Sequence, residues 1–152
     1  ETLEEMPSFR NALNKDRCVV ISRGFFEWQK RENQKIPYYI GIQDDQLFAF
    51  AGLYETWFHP VNGEAHNTFT IITTTANPLL AFIHNTKQRM PVILPEEKEQ
   101  EWINPANPLE KALELLVPYD QDKMKSYTIS KLVSTPGAIK NVLELIQPYN
   151  YD

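Results

Sequence analysis

The sequence predicts an α+β domain, and three observations predict it. Short β-branched or aromatic runs, Cys18 to Ile21, Phe25 to Gln29, Ile36 to Ile42, Leu47 to Leu53 and Thr68 to Thr75, succeed one another with turn residues between them, as in a strand-rich meander. Helical signatures are fewer and shorter, the clearest being Asn77-Pro78 and Pro95-Glu96-Glu97. The 152 residues, 42% apolar and 12% aromatic, suffice for one buried core and fit a single domain over 1–152.

In chain order, residues 1–16, with Pro7-Ser8 ahead of Phe9 and Leu13, suit a short helix with Pro or Ser near its start. Cys18 to Ile21 reads as a strand covered on both faces. Gly24 permits a bend, and Phe25 to Gln29 runs extended, so that Phe25 and Glu27 share one face while Phe26 and Trp28 share the other. A polar hairpin loop, Lys30 to Lys35, leads to the strand Ile36 to Ile42. Asp44-Asp45 turns the chain into Leu47 to Leu53, which Tyr54 to Phe58 prolongs. Pro60, Asn62 and Gly63 make 59–67 a loop, and the β-branched stretch Thr68 to Thr75 is expected to be a central strand. Asn77 is the expected N-cap of a short helix that carries Leu79, Leu80, Phe82 and Ile83 and ends near His84. Arg89 to Leu94 is extended, Pro95 opens a helix through Trp102, and Leu109 to Leu116 forms another. Tyr127 to Val133 is expected to be the last strand and Ile139 to Ile146 a loosely helical tail.

The net charge of −5 and pI near 5.2 argue against a generally basic nucleic-acid binder, though they leave room for a local basic groove. With one cysteine, Cys18, no intrachain disulfide is possible, and a reducing, cytoplasmic compartment is the expectation, nucleoid-associated in a bacterium. No apolar stretch approaches the roughly 20 residues of a membrane span. No cofactor is expected. The loop histidines His59 and His66 have no cysteines or spaced carboxylates around them, so no metal site is expected either.

Glu27, set among Phe25, Phe26 and Trp28, is read either as a general acid or base whose carboxyl the aromatic surroundings push up, or as a structural carboxylate paired with Arg23 or Arg89. His84, at the end of a short helix, is read either as a proton carrier or as a helix-capping residue. Glu55, among Tyr54, Trp57 and Phe58, allows a two-carboxylate hydrolase with Glu27. Cys18 stands in an apolar strand without a neighbouring His, so a buried structural thiol is the reading there.

Five blocks in order carry a resemblance: Arg17-Cys18-Val19-Val20; Gly24-Phe25-Phe26-Glu27-Trp28; Ala51-Gly52-Leu53-Tyr54-Glu55; Ile72 to Asn77; and His84 followed by Arg89 to Leu94. Together they closely resemble the SOS-response-associated peptidase (SRAP) family of abasic-site processing, DNA–protein crosslinking proteins. The resemblance implies a single α+β domain around a curved, barrel-like antiparallel sheet. It implies a partner, single-stranded DNA containing abasic sites, bound by a monomer. It also implies an N-terminal cysteine that forms a thiazolidine crosslink with the ring-opened sugar and takes part in autoproteolytic maturation. Carried over by position, Glu27 and His84 match the catalytic Glu and His, Arg89 matches an Arg on DNA phosphate, and Thr73 and Trp28 are further active-site positions. The family's Asn-x-Arg-x-Glu-Thr segment survives here as Glu1-Thr2, so its nucleophile is expected to precede this sequence, which alone is expected not to crosslink. The segment Asn85 to Gln88 lengthens the usual spacing between His and Arg-Met-Pro, and Ile21-Ser22-Arg23 replaces the more usual Pro-Ala-Asp. A non-catalytic nucleic-acid or protein binding module is the alternative outside the enzymes.

Overall fold

The computed structural model describes residues 7–151, and the expectation for Glu1-Thr2 lies outside them. The chain contains four α-helices and nine strands among these residues, α1 Pro7–Lys15, β1 Arg17–Ser22, β2 Phe25–Arg31, β3 Gln34–Ile42, β4 Phe48–Phe58, β5 Ala65–Ile71, β6 Thr73–Thr75, α2 Pro78–Ile83, β7 Arg89–Pro91, β8 Ile93–Leu94, α3 Glu96–Ile103, α4 Leu109–Leu113 and β9 Met124–Thr128. The α+β class is as expected. The strands form separate antiparallel sheets and do not close into the expected barrel. Two compact units result, each assembled from three stretches of chain.

The first unit comprises Glu1–Ile21, Phe48–Thr74 and Pro91–Tyr119. Its sheet runs β1-β4-β5, with β8 also on β4. The eleven residues of β4 divide into a buried half, Phe48 to Leu53, and an exposed half, Tyr54 to Phe58. Only the first half meets the core of Leu13, Ala51, Leu53, Ile72, Val92, Leu94, Trp102 and Ala112. The guanidinium of Arg17 is buried in this unit, and among the described residues its hydrogen-bond partners are carbonyls. It donates to the carbonyls of Leu13 (2.7 Å), Trp102 (2.6 Å) and Asn104 (2.6 Å), which lie at the C-terminal ends of α1 and α3. Unpaired carbonyls at helix ends carry partial negative charge, so they can neutralise a buried cation and are themselves satisfied by it. Cys18 packs beneath Gly52, where an added Cβ would stand 3.0 Å from its sulfur.

The second unit comprises Ser22–Leu47, Thr75–Met90 and Asp120–Asp152, with sheet order β2-β3-β9. Alternation along β2 follows the expected two faces. Tyr39 of β3 lies edge-on to Phe26 at 6.1 Å and stacks on Tyr127 of β9 at 5.3 Å. Gly24 is required by the same ring, since any Cβ there would lie 2.4 Å from it. The hairpin expected over 30–35 is tighter, because Arg31 pairs directly with Gln34 and Glu32 takes a left-handed backbone, φ 48°. Helix α2 begins as expected, with the Asn77 side chain accepting from Leu80 N–H at 2.9 Å and Pro78 at the first position.

Several expectations are corrected. The meander is broken: β3 pairs with β2 and β9, and β4 pairs within the other unit. Thr68 to Thr75 is not one central strand. It splits at Ile72 into β5, an exposed edge of its sheet, and β6. β-Branching reports fit to a pleated surface, and an edge serves as well as a centre. His66 belongs to β5, opposite Trp57, and not to the loop. Ile21 is exposed, so β1 is not covered on both faces. The last strand falls earlier than Tyr127 to Val133, because Ser130 caps a 3-10 turn over Lys131–Ser134 and stops it. Helix α4 ends at Leu113, and the tail has only a 3-10 turn at Leu143–Ile146.

Candidate active site

Glu27 and His84 meet in the second unit. Strand β2 presents Glu27 on the face that packs on α2, and His84 is the C-cap of α2. The Glu27 Oε1 to His84 Nδ1 distance is 3.7 Å, and each side chain is about one-fifth exposed (21% and 20%). That distance is close enough for charge to be felt and too long for a direct hydrogen bond. Partial burial pushes the Glu27 carboxyl above its ordinary range, an effect that the charge of His84 and the Trp28 backbone N–H oppose.

The imidazole is oriented by the backbone. His84 Nδ1 lies 3.0 Å from the Arg89 carbonyl oxygen, and because a carbonyl only accepts, Nδ1 carries the proton. In the neutral ring the lone pair is then on Nε2, the nitrogen available to take a proton. The segment 85–88 that lengthens the spacing to Arg89 is a closed turn, with Gln88 N–H on the His84 carbonyl (2.9 Å) and a left-handed Gln88, φ 51°. The longer spacing therefore returns Arg89 to His84.

Two further residues brace this corner, and sequence reasoning missed both. Gln29 is buried, donates through Nε2 to the Phe82 carbonyl at 2.9 Å, and accepts at Oε1 from Arg31 Nε (2.6 Å) and the Tyr38 hydroxyl (3.2 Å). The Asn85 amide accepts from Lys30 N–H (3.1 Å) and donates to the Lys30 carbonyl (3.0 Å). The available signal was polar residues adjacent to each candidate, Gln29 two positions from Glu27 on the same face and Asn85 next to His84.

The other expected positions do not join the pair in the same way. Trp28 is on the opposite face of β2, its Nε1 donating to Ser134 Oγ at 3.4 Å. A cavity of 310 Å³ also lies on that side, lined by Phe26, residues 140–143, Leu145 and Ile146. Thr73, in β6, is assigned to the first unit. So is Glu55, which is exposed on β4 opposite Thr68; the partner at the Glu27 carboxylate is His84. Cys18 is half-buried and burial pushes its thiol up, the opposite of activation. Among the described residues no group of three or more His, Cys, Asp or Glu could hold a metal ion, and no helix is long and apolar enough to cross a membrane.

Comparison with known proteins points the same way as the ordered blocks. The family model described as SOS response associated peptidase (SRAP) matches residues 1–136. Abasic site processing protein YoqW of Bacillus subtilis (strain 168) is 46% identical over 151 residues, covering 98% of this chain and 65% of that protein. Abasic site processing protein HMCES of Gallus gallus is 33% identical over 139 residues, covering 78% of this chain and 40% of its own length. A crystal structure of a protein from Bacteroides thetaiotaomicron superposes with a TM-score of 0.92 at 41% identity, covering 98% of this chain and 63% of that one. The chain thus spans just under two thirds of the length of YoqW.

Proposed function

Because this chain belongs to the SOS response associated peptidase (SRAP) family, we propose that it is part of an abasic-site processing protein in which Glu27 and His84 are the acid–base pair. The observation that carries the reading is their approach to 3.7 Å, from positions 57 residues apart, in a half-buried corner. The relatives' names supply the substrate class, DNA with abasic sites.

The nucleophile is an N-terminal cysteine of the whole protein, and the protein acts as a monomer on single-stranded DNA. Its amine adds to the aldehyde of the ring-opened sugar, the resulting carbinolamine loses water to an imine, and the thiol closes on the imine carbon. Aldehyde and aminothiol become thiazolidine plus one water. Each stage needs a proton moved: from the amine, onto the departing hydroxyl, and from the thiol. A carboxyl held up by burial retains a proton to donate to the leaving oxygen, and His84 Nε2 can accept one from the amine. Autoproteolytic release of the cysteine would draw on the same two groups. Arg89, whose carbonyl orients His84, contacts DNA phosphate through its side chain.

The test is crosslinking of the full-length protein to single-stranded DNA carrying one abasic site. Glu27→Gln and His84→Ala are each expected to slow adduct formation by about 10²- to 10⁴-fold, the usual range for a lost acid–base group. Wild-type rates in both would overturn the reading and favour a binding module. Cys18→Ser is expected to leave the rate unchanged.

A further inference from the structure

We propose that Asn85 and Gln29 are positioning residues that hold the end of α2 against β2 and so set the separation of Glu27 and His84. The inference rests on the acid–base reading above and adds to it what holds the pair in place. At 3.7 Å the two side chains make no direct hydrogen bond, so their separation is not self-enforcing. Helix α2, which carries His84 at its end, has six residues, too few to be stable by itself. Something outside the pair must fix the helix end against β2.

The two amides do this at two points that bracket His84. Gln29 takes the Phe82 carbonyl, one of the groups a helix end leaves without an internal partner. Being buried and itself held by Arg31 and Tyr38, it is a rigid anchor. Asn85 uses both ends of its amide on the N–H and carbonyl of Lys30. Since β2 is the edge of its sheet, Asn85 occupies that edge as one residue of a neighbouring strand would. Residue 29 thus holds 82, and residue 85 holds 30. Glu27 and His84 lie within three residues of these anchors on their respective elements.

The charged group facing the Glu27 carboxyl is His84 from the end of α2; the neighbouring backbone also carries Tyr38, opposite Glu27 on β3, Arg31, further along β2, and Arg89 on β7. Of these, His84 lowers the Glu27 carboxyl by its charge. Releasing Asn85 lets His84 move away, so the carboxyl should titrate at higher pH. This is a readout that a merely structural role would not move.

The experiment follows the Glu27 carboxyl by 13C NMR titration in the full-length protein, with Asn85→Ala and the control Thr86→Ala in the same turn. Adduct formation is measured with the same substitutions in the full-length protein. Asn85→Ala is expected to raise the Glu27 midpoint and slow crosslinking by about 10- to 100-fold, the scale of a misplacement near 1 Å. Thr86→Ala is expected to change neither. If Asn85→Ala does not fold, Asn85→Gln, whose amide is one methylene further out, should move the midpoint in the same direction. An unchanged midpoint in a folded Asn85 variant overturns the proposal. A raised midpoint with wild-type crosslinking leaves the positioning intact and refutes the acid–base reading instead.

Discussion

The two units treat charge in opposite ways. The stretches 1–21, 48–74 and 91–119 hold five of the fifteen Lys and Arg but twelve of the twenty Asp and Glu. The stretches 22–47, 75–90 and 120–152 hold the other ten basic residues against eight acidic ones. The overall charge of −5 is therefore an average over an acidic unit and a mildly basic one, and the basic one carries Glu27 and His84. Net charge alone is a poor guide to phosphate binding when it is unevenly spread. Buried polar groups differ likewise. In the acidic unit Arg17 is fully tied to carbonyls and serves rigidity. In the basic unit Glu27 and His84 stay one-fifth exposed and lack a mutual hydrogen bond.

The sharpest way to break that contrast is Arg17→Met. It strands the carbonyls of Leu13, Trp102 and Asn104, and the expected loss is about 3 kcal/mol or more of unfolding free energy in urea. A loss below about 1 kcal/mol would mean that water replaces the guanidinium.

Glu27→Gln should do the reverse at neutral pH. A carboxyl raised in the folded state adds stability that is complete below its unfolded value, about 4.3, and is lost as pH rises through the folded one. The glutamine variant lacks that loss. Its Tm is expected to exceed wild type at pH 7.5 and to match it at pH 3.5. A variant less stable at pH 7.5 would show that Glu27 is held as a favourable ion pair.

The smallest effect concerns salt. Arg89→Ala should reduce the slope of log affinity against log salt for single-stranded DNA by about 0.7, one phosphate contact, whereas Lys111→Ala in the acidic unit should leave it unchanged. Equal changes would erase the distinction between the units as DNA-facing and structural.

Local chemistry was legible from the residues. The Asn77-Pro78 start of α2, the two faces of β2 and the helix end at His84 all follow from capping and alternation, which act over a few residues. Which strands pair was not, because β3 takes β9 from more than eighty residues downstream and β-branched stretches such as Thr68 to Thr75 look alike at an edge or a centre. Within the site, Glu27 and His84 were visible because few residue types carry protons near neutral pH. Gln29 and Asn85 were not, since an amide draws its meaning wholly from its partners. Arg17 escaped as well, as nothing local says that a cation will be neutralised by helix ends.

The threading of the chain between units bears on how the protein is made. Strand β3 cannot complete its sheet until Met124–Thr128 has been synthesised, and by then all the residues of the acidic unit have already been synthesised. Contacts of such long range are slow to form and raise the folding barrier. During synthesis, the sheet that presents Glu27 to His84 is therefore finished last, so a nascent chain carries both residues long before the strand that completes their support is available.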